Sequence, residues 1–311
     1  MSISKEIESF HLTISANKIH VVYLPPIILV FGGIVDVKLA IDCSCRNLFL
    51  TEALRLKFPY GKELKIPESY PEWNTFEGYQ NLIDFETDAG CLSRAIVLFL
   101  ESPGSLAELG AFCMDDDLRR LLFIVVEEEH YTSDSFIKLG PIKKIENDDS
   151  GDSICVVPTL EKPAEFATEI PDILVSLKEK LDKGHKKQGF DCNRNRDKYL
   201  LIADLIDLFC AVNVSELHTL AINLGMNLAT KDIKRILRQL ILFELVSEVP
   251  INTHKYYVAN KGYKTDYLDY NSAIPEKKFD RTSFKLQMYE LLNGDALRKR
   301  AYAQVHGVAS K

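Results

Sequence analysis

Leu98-Phe99-Leu100-Glu101-Ser102-Pro103-Gly104-Ser105-Leu106-Ala107-Glu108-Leu109-Gly110-Ala111-Phe112 reads as a buried strand that breaks at Pro-Gly-Ser and restarts as a helix. The strand extends back to Arg94 as Arg-Ala-Ile-Val-Leu-Phe-Leu, an almost unbroken apolar run of the kind a parallel strand covered on both faces requires. A strand-to-helix turn of this type is where an open α/β sheet places ligand chemistry. Ser105-x-x-Glu108 has the spacing of a capping box, which predicts Ser105 as the helix cap and Glu108 in the first turn. There the unpaired N–H groups and the positive end of the helix dipole favour an ionised carboxylate. Glu108 can serve as cap partner and as site carboxylate at once. Gly104 would let a ligand approach the backbone, Gly110 would thin the helix against the sheet, and Glu101 and Ser102 add polar groups at the strand's end.

On either side of this segment, apolar β-rich runs alternate with helical patterns. Ile27-Ile-Leu-Val-Phe31 is followed by helices over 46–58 and 76–89, the strand at 94, the helix from 106, strands at 121–126 and 154–157, and a helix over 163–181. That alternation predicts an α/β fold built on a doubly wound parallel sheet. Gly32-Gly33, closing the first strand, then opens toward the same edge as Gly104-Ser105, and together they outline one pocket. The acidic stretch 127–152 reads most simply as a solvated excursion, with a lid or a partner contact as the alternative for a loop of that length. Neither the dinucleotide GxGxxG fingerprint nor a Walker A lysine occurs, which argues against hydride transfer and P-loop NTPase chemistry.

The chain has 311 residues, 46% hydrophobic and 27% charged, enough for more than one core. Its start lacks a basic n-region and apolar h-region, and its longest apolar stretch, 21–37, is broken by Pro25-Pro26 and Gly32-Gly33, so the expectation is a cytoplasmic protein without a membrane partner. Seven cysteines form an odd set without a CxxC pair, and the seven histidines are scattered singly. Neither a disulfide framework nor a metal site is expected. Charge is uneven: residues 1–190 carry 20 Lys+Arg against 31 Asp+Glu, whereas 191–311 carry 18 against 14. The polar stretch Lys183-Gly-His-Lys-Lys-Gln-Gly-Phe-Asp-Cys-Asn-Arg-Asn-Arg-Asp-Lys198 reads as a linker between the halves. The expected domains are 1–190, 191–265 and a tail, 266–311.

The strand, the small-residue turn and Gly104-Ser105-x-x-Glu108-x-Gly110 resemble the nucleoside 2-deoxyribosyltransferase family and its nucleotide N-glycosidase relatives, by the order of elements over about residues 20–185. The resemblance implies that Glu108 is the nucleophile that attacks the anomeric carbon and expels the base, with no cofactor. A carboxylate suits that role because it stabilises or traps an oxocarbenium-like centre while a second polar group helps the base depart. Transferases of this kind often carry an aspartate six residues before the nucleophile. Here that position is Ser102, beside Glu101. Candidates for the missing partner are Glu101, Asp84, Glu86 and Asp88, with Asp84 and Asp88 favoured; Tyr70, Trp73 and Tyr79 could stack on a base or pack as core or rim.

The second half reads as a winged helix-turn-helix: helices over 199–210, 215–224 and 230–242, then a β-hairpin. In the third helix Ile233, Ile236, Leu237, Leu240 and Ile241 form a buried stripe, while Lys231, Lys234, Arg235 and Arg238 recur on another face, as phosphate contact requires. A solvated helix face has the same pattern, and winged helices also bind proteins. The tail, 266–311, reads as a partner-binding arm or as a helix docking back onto the body. An N-glycosidase-like domain joined to a winged helix also resembles the effectors of bacterial retrons. That resemblance implies a toxic, oligomeric enzyme that consumes NAD+ or another nucleotide and is held by a reverse transcriptase and its RNA-linked DNA. The same residues allow a nonenzymatic regulator that senses a nucleotide and reads DNA.

Overall fold

Packing divides the chain into two units, Met1–Pro25 with His185–Lys311 and Pro26–Gly184. The computed structural model describes residues 2–15, 18–35, 43–70, 79–149, 152–262, 265–273 and 278–307; Trp73 and the start of the helix expected at 76 lie outside them. The first residues form α1 (Ile3–Thr13) and β1 (His20–Val21). The Pro26–Gly184 unit then holds β2 (Ile28–Phe31), α2 (Cys45–Arg55), β3 (Leu64–Lys65), α3 (Leu82–Cys91), β4 (Ala95–Phe99), α4 (Pro103–Phe112) and α5 (Asp116–Arg119). It continues with β5 (Leu122–Glu127), α6 (Glu128–Thr132), α7 (Lys143–Asp149), β6 (Ile154–Val157), α8 (Pro163–Phe166) and α9 (Ile170–Asp182).

The five strands of this unit are parallel, in the order β3-β2-β4-β5-β6. β2 and β4 are buried throughout, so both faces must be covered. On one face Val30, Val97, Phe99 and Val125 pack against Phe49 of α2, Phe166 of α8 and Ile173 and Leu177 of α9. On the other, Phe31 meets Phe112 of α4 with ring centroids 5.1 Å apart. Gly90 of α3 lets Leu118 and Ile96 close in on that face; a Cβ there would lie 2.7 Å from Leu118 Cδ2. The apolar runs dictate this doubly covered sheet.

Two local readings change. The helix over 163–181 is two, because Pro171 opens α9 in its first turn and the chain turns between it and α8. The acidic excursion is helical: α6, a π-turn at Lys138–Ile142 and α7. Ile142 and Ile145 are buried beneath it, and Glu146 accepts from Tyr131 Oη at 2.8 Å and Lys138 Nζ at 2.7 Å. The many carboxylates of this stretch hide its short apolar stripe.

In the other unit follow β7 (Gln188–Gly189), α10 (Asn195–Leu208), α11 (Val214–Asn223), α12 (Thr230–Leu242), the hairpin of β8 (Val246–Ile251) and β9 (His254–Ala259), β10 (Leu268–Asp269), α13 (Arg281–Leu291) and α14 (Ala296–His306). The stretch 183–198 is not a plain linker, because β7 pairs antiparallel with one side of β1, whose other side pairs with β10. The packing divisions fall after 25 and after 184. The residues beyond 266 dock back: buried Asp204 of α10 accepts from Leu268 N–H at 3.1 Å, Tyr270 Oη at 2.7 Å and Arg281 Nη1 at 3.0 Å. Phe10 of α1 packs edge-on against Phe209 and Tyr270 at 5.3 and 5.9 Å. No helix among the described residues is long and apolar enough to cross a membrane. Asp204→Ala strips three donors of their shared acceptor and leaves Arg281 with Asp207 and the carbonyls of Thr265 and Leu268, so it should cost about 3 kcal/mol or more in urea unfolding followed by circular dichroism.

Candidate active site

The sheet order reverses direction between β2 and β4, and the crevice outside the carboxyl ends of those two strands is where an open parallel sheet receives a ligand. Phe31 and Leu98 stand side by side in parallel register, so Gly32-Gly33 and Glu101-Ser102 leave the sheet together. Gly32 has φ +152°, and a Cβ on it would lie 2.8 Å from Phe99 Cβ and 2.9 Å from Glu101 Oε1. A Cβ on Gly33 would lie 2.9 Å from the Glu101 carboxyl carbon. The glycine pair therefore makes room for Glu101. That carboxylate accepts from the N–H groups of Gly33 at 2.8 Å, Arg46 at 2.9 Å and Cys45 at 2.7 Å, joining the ends of β2 and β4 to the start of α2.

α4 starts earlier than its spacing predicts. Ser102, not Ser105, is the cap: its hydroxyl accepts from Ser105 N–H, while the Ser105 hydroxyl accepts from Ser102 N–H, both at 3.1 Å. Pro103 is fit for the first helical position because its fixed φ suits a helix and it needs no N–H partner there. Ser105 is consequently buried and Gly104 exposed, with only Ser102 Oγ near its missing Cβ at 3.7 Å. A Cβ on Gly110 would meet nothing within 4 Å, so that glycine does not thin the helix against the sheet.

The shift moves Glu108 to the second turn, away from the N–H groups expected to ionise it. Its Oε2 is buried without a hydrogen-bond partner. Burial pushes its pKa up to about 7; the Arg46 guanidinium pulls it back, and the Glu68 charge adds to the rise. Glu108 is thus poised around neutrality rather than fixed as an anion. Glu86 of α3, 7% exposed, is pushed up to about 8 by burial, then by the charges of Glu108 and Glu68, against the pull of Arg46.

Among the candidates for the second acid, Glu86 is the one coupled to Glu108. Asp84 is exposed and sits in the first turn of α3, its N–H held by Asn81 Oδ1 at 2.9 Å. Asp88 is buried and accepts from the Tyr79 hydroxyl at 2.7 Å, which places Tyr79 in the packing beneath α3. Arg46, 2% exposed, is a site residue that the sequence motifs miss. Its guanidinium donates to Val30 O at 3.2 Å and to both Glu68 oxygens at 3.2 and 2.7 Å, while its Nε is buried without a hydrogen-bond partner. An arginine in the first turn of a helix opposes the dipole, a signal that such a residue answers to something outside its own helix.

On α12, Lys231 and Lys234 are exposed and Arg235 and Arg238 half-buried; the inner stripe holds Gln239 where the sequence predicts Ile241, and Ile241 is half-buried.

With the site in place, comparison with known proteins identifies the family. The STM3845 retron effector protein family matches residues 42–248. The chain belongs to that family. It is 26% identical over 230 residues to the Escherichia coli "Retron Ec86 putative ribosyltransferase/DNA-binding protein", covering 73% of each chain. A second Escherichia coli protein, from retron Ec73 and with the same designation, is 28% identical over 238 residues, 72% of each chain. The family match begins just before α2 and ends in β8, so it includes Arg46, Glu86, Glu101, Glu108 and the basic residues of α12.

Because Glu86 ionises near 4.5 when unfolded and near 8 when folded, the folded effector holds a proton that the unfolded chain releases. Stability on this account is full below pH 4.5 and declines as pH rises through about 8. Glu86→Gln removes the loss, so its melting temperature should match the parent at about pH 4.5 and exceed it by about 4 °C or more at about pH 9, read by scanning calorimetry.

Proposed function

We propose that this retron effector is an N-glycosidase that cleaves the N-glycosidic bond of NAD+ or a related nucleotide, with Glu108 as nucleophile and Glu86 as its acid–base partner. The observation that carries this reading is the unpartnered Glu108 oxygen beside a second raised carboxyl at the point where the strand order reverses. Two carboxyl groups whose environments set them apart are the equipment of glycoside cleavage. In the first step a Glu108 oxygen bonds to the anomeric carbon as the C–N bond breaks, its electron pair leaving with the base. In the second, water displaces the carboxylate from that carbon and loses a proton, giving the free sugar. The relatives' designation as ribosyltransferases fits the same bond.

The leaving group decides what Glu86 must do. A neutral purine or pyrimidine leaves more readily when Glu86 gives it a proton, whereas nicotinamide leaves NAD+ as a neutral molecule and needs none.

In the same proposal α10–α12 and the β8–β9 hairpin are a winged helix-turn-helix whose Lys231, Lys234, Arg235 and Arg238 face contacts the retron's RNA-linked DNA. The reverse transcriptase and that DNA restrain a toxic activity released against phage. The relatives' designation as DNA-binding proteins supports this half of the reading.

Glu108→Gln keeps the shape and removes the nucleophile, so base or nicotinamide release, followed by chromatography, should fall at least about 10³-fold with circular dichroism unchanged. Initial rates against pH should rise through about 7 as Glu108 ionises. With a nucleoside they should fall again through about 8 as Glu86 loses its proton; with NAD+ they should level off. Alanine at Lys231, Lys234, Arg235 and Arg238 should weaken DNA binding and lower the slope of log K against log salt by about 3–4, measured by fluorescence anisotropy.

A further inference from the structure

Three backbone N–H groups, from Gly33, Cys45 and Arg46, converge on one carboxylate at 2.7 to 2.9 Å. Two of them belong to the first turn of α2, an eleven-residue helix that follows the first strand of the parallel sheet. In folds of this kind that helix start is a ready seat for a phosphate, because its N–H groups are unpaired and the dipole is positive there. Here the seat is already taken from within the chain.

We infer that Glu101 is a resident anion, built into the place where a substrate phosphate would sit, so that it both closes this seat to phosphate and positions Arg46. Two independent features of the structure agree. Gly32 and Gly33 have no room for a Cβ: the Glu101 carboxyl group lies 2.9 Å from where each would be, with Phe99 Cβ 2.8 Å from the first and Ser44 Cβ 2.7 Å from the second. And Arg46, whose own N–H is held by Glu101, is the cation that opposes the raised pKa of both Glu108 and Glu86. A nucleotide approaching Glu108 therefore meets a negative charge at α2, and its phosphates must be held elsewhere. Glu101 is a positioning and specificity-determining residue, one that does not touch the reacting bond.

The inference about the seat does not need the enzymatic reading; the inference about substrate choice rests on it. The experiment separates the two. Thermal melts of full-length Glu101→Ala and of the parent are recorded in inorganic phosphate, in formate and in chloride of equal ionic strength. Emptying the seat should lower the melting temperature in chloride, and about 50 mM phosphate or formate should restore about 2–5 °C in the variant while leaving the parent unmoved. Equal shifts in variant and parent, or none in a folded variant, would overturn the resident-anion assignment. Where Glu101→Ala does not fold in chloride, refolding in formate or phosphate is the reading. Recovery of the native circular dichroism supports the assignment, and failure in both anions overturns it. Given turnover, Glu101→Ala should raise the rate with a 5′-monophosphate relative to that with its nucleoside at least about tenfold over the parent's ratio; an unchanged ratio would overturn the specificity role while leaving Glu108 untouched.

Discussion

The carboxylate of Glu101 is the tie on which the site depends. It reaches from the end of β4 to the turn after β2 and to the start of α2, which lie 68 and 55 to 56 positions earlier in the sequence. A charged acceptor holding several N–H groups makes bonds about twice as strong as neutral ones, and here they fix backbone as well as side chains. Loosening it would release Arg46 as well as the glycine turn.

Arg46 in turn sets the electrostatic balance. It faces Glu108, Glu86 and Glu68, one positive charge among three carboxyl groups, and its two terminal nitrogens are taken by the most exposed of them. What remains is too little to offset the burial of Glu86 and Glu108. Desolvation outweighs the attraction, which is why both carboxyls stay raised although a guanidinium is close by. Had Arg46 been bonded to Glu108 directly, that carboxylate would be fixed as an anion and less able to form a bond to carbon.

The sheet is legible in the sequence because its central strands are apolar on both faces, and only a parallel sheet covered by helices satisfies that pattern. Glu108 is singled out in the sequence by the small-residue turn before it. The start of its helix is not, since Ser102 and Ser105 both have capping chemistry and Pro103 decides between them. Glu86 does not stand out from Asp84 and Asp88, because three carboxylates on one short helix look alike in sequence; only packing shows that one lies in the exposed first turn, one bonds Tyr79 and one faces Glu108. Gly32 and Gly33 are equally mute, for the side chain that requires them stands 68 positions beyond the second of the pair. The anchor of the last helices is hidden in the same way: Asp204 gives no local hint of the arginine 77 positions away.

The interleaved path of the chain has a consequence for its birth on the ribosome. α1 and β1 are made first, yet the partners that cover Phe10 and flank His20 and Val21 come from beyond residue 184. The parallel-sheet unit, whose residues are contiguous, can complete itself while those opening residues still wait. A product cut short after the sheet would carry the apolar face of α1, with Ile3, Ile7 and Phe10, uncovered, marking it for chaperones and proteases.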